Sequence, residues 1–199
     1  MMVCRYLPAV AALACMVTGC RSASVHLYTL VDSPIVPSSS SSQSPAQERL
    51  ALGTVRIPRA MDRKELVVRK SSGELAILEN DNWAAPLGDE TRRALASDLR
   101  RALRAQAQDL PPQPPGTVAV DIRRWEVIEG RVYLEVDWRL SREGEALREL
   151  RCESNLVAST SGTAFDIVRV DQQLLAQLAN AIAHAARLER ACSPGVTAP

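Results

Sequence analysis

Two histidines, five cysteines and a scatter of carboxylates are the side chains of this 199-residue chain with the chemistry to hold a metal, attack a bond or move a proton. His26 and His184 lie far apart, and neither has a partner at metal-ligand spacing, so no metal site is expected. The acids Asp62, Glu65, Glu74, Glu79 and Asp81 could supply a carboxylate pair for hydrolysis, but placement on alternating strand faces explains them more simply. No G-x-S-x-G, P-loop or dinucleotide glycine pattern occurs, and Lys64 and Lys70 do not complete an S-x-x-K arrangement. The residues therefore point to a protein that is not an enzyme, with no catalytic residue and no cofactor.

The cysteines carry more. Residues 1–19 hold one charge, Arg5, and then an apolar run from Tyr6 to Val17 that is too short to span a bilayer and suits the core of a signal peptide. At its end, Val17-Thr18-Gly19-Cys20 resembles the lipobox of bacterial lipoproteins. Two small residues let a peptidase approach the backbone, and the Cys20 thiol is the nucleophile there that can accept a diacylglyceryl group. The resemblance implies a chain that starts at Cys20, bears N-acyl diacylglyceryl lipid and palmitate-like chains, and is tethered rather than embedded, because several acyl chains hold where one is marginal. Arg21 stands where an Asp would be the inner-membrane retention signal, so the same rule sends the anchor to the outer membrane, facing the periplasm. Cys4 and Cys15 leave with the signal segment, and Cys152 and Cys192 remain as a possible disulfide in an oxidising compartment. Closing the loop of roughly 40 residues between them would contribute about 4 kcal/mol in the chain-entropy model.

Composition narrows the partners. The 24 Lys+Arg against 23 Asp+Glu leave no field for steering polyanions, and removing Arg5 with the signal segment makes the balance even. Nucleic-acid binding is disfavoured.

The elements that must carry these residues follow from patterning. Val25 to Leu30 is rich in strand formers, and the Ser/Pro-rich run 33–48 that follows reads as an excursion from the domain. Leu50, Leu52, Val55 and Ile57 alternate with a slip at Gly53, which predicts a strand with a bulge. Leu66–Arg69 and Leu75–Leu78 flank a turn at Ser71-Ser72-Gly73, and these three strands are expected to be neighbours. Asp89 is placed as the N-cap of a helix reaching about Gln108, with Leu95, Leu99 and Leu103 on its inner face and five arginines on its solvated one. Prolines from Pro111 to Pro115 end it. Strands follow from Val118 to Val127, with a bulge at Arg123-Arg124, and from Val132 to Leu140 after a tight turn at Glu129-Gly130. A third, Leu147–Leu156, completes an antiparallel meander. Thr163 and Asp166 resemble a capping box before a stripe of Ile167, Val170, Leu174, Leu178, Ile182 and Ala185. The expected fold is α+β, one domain with an antiparallel sheet packed against two main helices in the order β-β-β-β-α-β-β-β-α. Its boundaries are a signal segment 1–19, a lipidated tether 20–24, a domain 25–192 and a tail 193–199.

Val55-Arg56-Ile57-Pro58, Leu66-Val67-Val68-Arg69, Trp83-Ala84-Ala85-Pro86-Leu87, the helix from Thr91 to Leu103, the strand Val136–Leu140 and the helix Leu174–Ala183 together resemble the auxiliary lipoproteins of ABC-type transport systems, the PqiC/YmbA-like family. The long serine run departs from that family's shorter connection. The resemblance implies a docking role beside a mammalian-cell-entry (MCE) domain protein, a permease and an ATPase that move lipids between membranes, with homo-oligomerisation left open. An aromatic beside proline on a connection can anchor an interface, so Trp83, Pro86 and Leu87 are the candidate partner contacts, with packing of Trp83 into the core as the competing reading. A lipid-binding carrier and a structural envelope lipoprotein are the alternative roles.

Overall fold

The structure, a computed structural model, describes residues 24–31, 50–106, 114–142 and 148–188. The order expected from the patterning is the order observed: β1 (His26–Tyr28), β2 (Leu50–Arg56), β3 (Glu65–Arg69), β4 (Leu75–Trp83), α1 (Leu87–Ala105), β5 (Gly116–Ile128), β6 (Arg131–Arg142), β7 (Arg148–Ser159) and α2 (Ala164–Leu188). The strands form one seven-stranded sheet in the order β1-β4-β3-β5-β6-β7, with β2 also on β5. The fold is α+β.

The meander β5-β6-β7 is antiparallel, as its alternation requires, with Val120 opposite Trp138 and Trp138 opposite Cys152. Its inward residues Val118, Ile122, Leu134 and Val136 are all but inaccessible, and the stripe Ile167, Val170, Leu174, Leu178 and Ile182 of α2 closes over them. Both predicted bulges occur, between Leu52 and Val55 and between Ile122 and Arg124. At the first, β2 approaches β5 so closely that a Cβ on Gly53 would lie 2.7 Å from Thr117 Cγ2. At the tight turn Glu129 and Gly130 both have positive φ, 48° and 71°, the left-handed pair that a two-residue hairpin needs.

Three expectations change. The sheet is mixed: β1 runs parallel to β4, and β2 and β3 run parallel to β5. Only β3 and β4 of the three expected neighbours pair with each other. β2 lies along the first half of β5 (Leu50 opposite Gly116, Arg56 opposite Asp121), and β3 meets its far end (Arg69 opposite Ile128). The connection between them turns at Pro58, whose carbonyl accepts from Met61 N–H at 2.9 Å, and then continues along the same edge instead of reversing. Finally, α1 starts at Leu87 with Pro86 as N-cap, not at Asp89, since the Pro86 carbonyl already accepts from the Asp89 and Glu90 amides at 2.9 and 3.1 Å. Thr163 does cap α2, its Oγ1 accepting from Asp166 N–H at 3.3 Å. The Asp166 carboxylate turns instead to Ser161 N–H at 2.6 Å and to Arg169, so the box is not reciprocal.

β1 is joined to the rest of the described sheet across the 32–49 segment, and buried polar groups hold it. Glu90, 1 % exposed at the start of α1, accepts from Thr29 Oγ1 at 2.7 Å and from Leu30 N–H at 3.0 Å, and pairs with Arg93. Gln172 Nε2 of α2 donates to the Thr29 carbonyl at 3.0 Å. Leu30 itself is fully buried. Deeper in the core, Asp171 accepts from Trp125 Nε1 at 2.8 Å.

Two predictions follow from these buried acids. Replacing Glu90 with Ala strands the Leu30 amide, so Glu90→Ala is expected to cost about 2–3 kcal/mol in denaturant unfolding and to speed amide exchange across residues 25–31. Burial raises the Asp171 pKa to about 7 from an ordinary 3.8, with the Trp125 bond offsetting part of this. Between those values the folded protein keeps a proton that the unfolded chain has lost, so stability falls as pH rises through the window. Asp171→Asn retains an acceptor for Trp125 and cannot ionise, and its unfolding midpoint is expected to decline less than that of the parent between about pH 4 and about pH 7.

Candidate docking surfaces

Two surfaces of the described residues stand out: the sheet edge formed by β1, and the sheet face that the helices leave open. At the edge, β1 pairs with β4 through His26 opposite Asp81 and Tyr28 opposite Trp83. Asp81 gathers the exposed His26 through Nδ1 at 3.0 Å and accepts from the Tyr28 hydroxyl at 3.2 Å. Burial and then the Asp81 carboxylate push the Tyr28 phenol above its ordinary value, so it stays a donor. The Ala84 amide donates to the Tyr28 carbonyl at 2.7 Å, continuing the strand's attachment beyond the pairing. Cys20 lies outside the described residues. His26 is the sixth residue after it, so whatever Cys20 is attached to is coupled to this edge by a short chain.

The open face of β5-β6-β7 is a lattice of ion pairs. Arg123, at the bulge, reaches Asp137 at 3.1 Å and Glu153 at 2.6 Å. Arg124 donates to Glu126 at 2.9 Å and to Glu135 at 3.1 Å, and its guanidinium sits 4.8 Å over the Tyr133 ring. Arg69 brings β3 into the same lattice through Glu126 at 2.5 Å. Burial raises the Glu126 pKa, and its bonds to Arg124 and Arg69 more than reverse that, leaving it below the usual carboxylate range. A depression of about 530 Å³ lies on this face, where Arg56, Asp121, Asp137, Arg139 and Arg151 contribute to the lining. The signs are interleaved, which suits a partner with interleaved charge and not a polyanion.

Among the described residues, no three His, Cys, Asp or Glu side chains converge as metal ligands would. The acid cluster of the sequence disperses: Asp62 accepts from Gly88 N–H at 3.0 Å, Glu65 pairs with Arg63, Glu74 with Lys70 and Asp81 with His26. His184 sits exposed on α2. Of the candidate partner contacts, Trp83 and Leu87 are 5 % and 4 % exposed and pack into the core, which corrects their expected role as surface anchors. Only Pro86 of that trio reaches solvent. Cys152 is buried on β7, facing the helices, and Cys192 lies outside the described residues.

The patterning missed Glu90 and Asp171, though both leave a trace. Asp171 falls at the i+4 position of the apolar stripe that begins at Ile167, and Glu90 precedes Ala94 and Leu95 on the inner face of α1. An acid on an apolar stripe is the signature of a buried polar contact.

Among curated proteins, none matches the chain. A solved structure described as an uncharacterized protein is similar at 21 % identity over 81 % of this chain and 98 % of its own, with a TM-score of 0.63. A protein from Xanthomonas campestris aligns at 19 % identity over 71 % of this chain and 87 % of its own, with a TM-score of 0.48. The first likeness shows the fold. Residues 28–183, from the end of β1 to the last turns of α2, match the model of the ABC-type transport auxiliary lipoprotein component, and the chain belongs to that family.

Proposed function

We propose that this protein is a non-catalytic auxiliary subunit of an MCE-associated ABC system for intermembrane lipid transport, held by acyl chains on Cys20 to the periplasmic side of the outer membrane. One observation carries the reading. In a chain of this family, β1 is built into the sheet, so the lipobox-like cysteine is followed almost at once by folded protein. Such a domain is confined to a layer next to the bilayer, where its concentration at a membrane-bound partner is raised without any new contact. The interleaved charges of the open sheet face supply a surface for that partner.

One interior cavity among the described residues is too small for the carrier alternative. The cavity between sheet and α2 bounded by Leu66, Trp83, Trp125, Ile167 and Asp171 measures about 30 Å³, the scale of one water and not of an acyl chain.

Pairing of Cys152 with Cys192 is part of the proposal. Arg142 Nη2 donates to the Ala186 carbonyl at 2.5 Å, which holds the end of α2 beside the end of β6, and Arg142 stands opposite Arg148 at the start of β7. The described end of α2 therefore lies near β7, the strand that carries Cys152. Titration of thiols in denaturant without reductant is expected to find neither residue free, and recovery of both thiols would overturn the pairing.

Replacing Cys20 with Ser is expected to release the folded protein from the membrane fraction with its melting temperature unchanged. The tagged parent is expected to co-purify with an MCE-domain protein from detergent-solubilised envelopes. A Cys20→Ser variant that stays in the membrane contradicts the anchor, and a parent that brings down no MCE protein contradicts the transport role.

A further inference from the structure

The large apolar side chains that stand exposed on the described domain are few, and four of the five fall on one wing: Val25 (56 %) and Leu27 (68 %) by β1, and Leu75 (51 %) and Ile77 (44 %) on β4. They share the open face of the sheet. Leu27 stands opposite Asn82, Asn82 opposite Glu65, and Glu65 alternates with Val67, which is opposite Ile77. The residues between, Leu66 and Leu78, face the core. The register shift in β4 between Leu78 and Asn82 is what returns both strands to a common side.

Chain geometry says what this wing meets. β1 is parallel to β4, so following β1 backwards from His26 toward Cys20 leads in the direction of Ile77 and Leu75. From Cys20 to Val25 is five residues, at most about 17 Å even when extended. The Ser/Pro-rich run lies after β1 and lends the anchor no reach. A lipid on Cys20 therefore brings this edge of the sheet to the bilayer surface, and the side chains presented there are aliphatic.

We propose that the β1-β4 wing lies on the membrane, with Val25, Leu27, Leu75 and Ile77 at the acyl-headgroup boundary, so that the domain is held in one orientation and not merely on a leash. The inference rests on lipidation at Cys20. Around the wing Arg63 pairs with Glu65 and Lys70 with Glu74, His26 hydrogen-bonds Asp81, and Lys64 and Glu79, both exposed, are of opposite sign. Contact is thus apolar and insensitive to anionic lipid.

The three native tryptophans are buried, at 5 %, 3 % and 2 % exposure, so an added indole can report alone. The lipidated full chain carrying Leu27→Trp, reconstituted in phosphatidylcholine vesicles, is expected to lose at least half of its added emission when the lipid is replaced by a chain-brominated analogue. Ile77→Trp should do the same on the neighbouring strand, which covers the case in which β1 does not tolerate the change. Ser159→Trp, on β7 at the opposite edge of the sheet, should be unaffected. Chain that floats with the vesicles while neither wing indole is quenched overturns the inference and leaves the anchor intact. Chain that does not float overturns both. Equal quenching at position 159, or a wing indole already shielded without lipid in a concentration-dependent oligomer, assigns the wing to another role and also overturns it.

Discussion

Burying the Glu90 carboxylate is the constraint on which the rest of this arrangement depends. A carboxylate with 1 % exposure must be given donors, and it takes them from a segment far away in sequence, the Thr29 hydroxyl and the Leu30 amide. That requirement ties the start of α1 to the end of β1, and Gln172 ties the same backbone to α2. Without it, a strand of three residues at the edge of a sheet would be held by few bonds. With it, residues 24–31 are a component of the domain.

The division of the sheet into a dry and a wet face follows from the same economy. Both helices cover one face, where the buried polar groups are answered individually: Trp125 by Asp171, Trp138 by Ser154 at 3.0 Å, and Arg142 by the carbonyls of Pro114 and Ala186. Among the described residues no layer covers the opposite face, and its arginines and acids satisfy one another across strands. Individual pairs of this exposure add little stability. Their effect is on the surface itself, which is ordered, polar and near neutrality.

What the amino-acid pattern revealed was what is local. The β5-β6-β7 meander, both bulges, the turn at Glu129-Gly130 and the stripe of α2 each have a short-range signature, and each is present. Pairings over long separations were not legible. Nothing in Leu50–Arg56 says that its partner is β5 and not β3, because the choice is made by how the chain leaves Pro58. Trp83 shows why a site on a connection is hard to read: an indole beside proline has the same spelling whether it anchors an interface or fills a core. The wing was hidden for a different reason. Val25, Leu27, Leu75 and Ile77 look like ordinary strand residues until the register shift in β4 turns them to a common side.

The parallel alignment of β1 with β4 has a mechanical consequence. A force on the N-terminal end of β1 directed along the strand axis is resisted by the inter-strand bonds as a group, in shear; a force perpendicular to the strand would open them one after another. Under such a load the whole domain moves as one body before β1 is stripped from it.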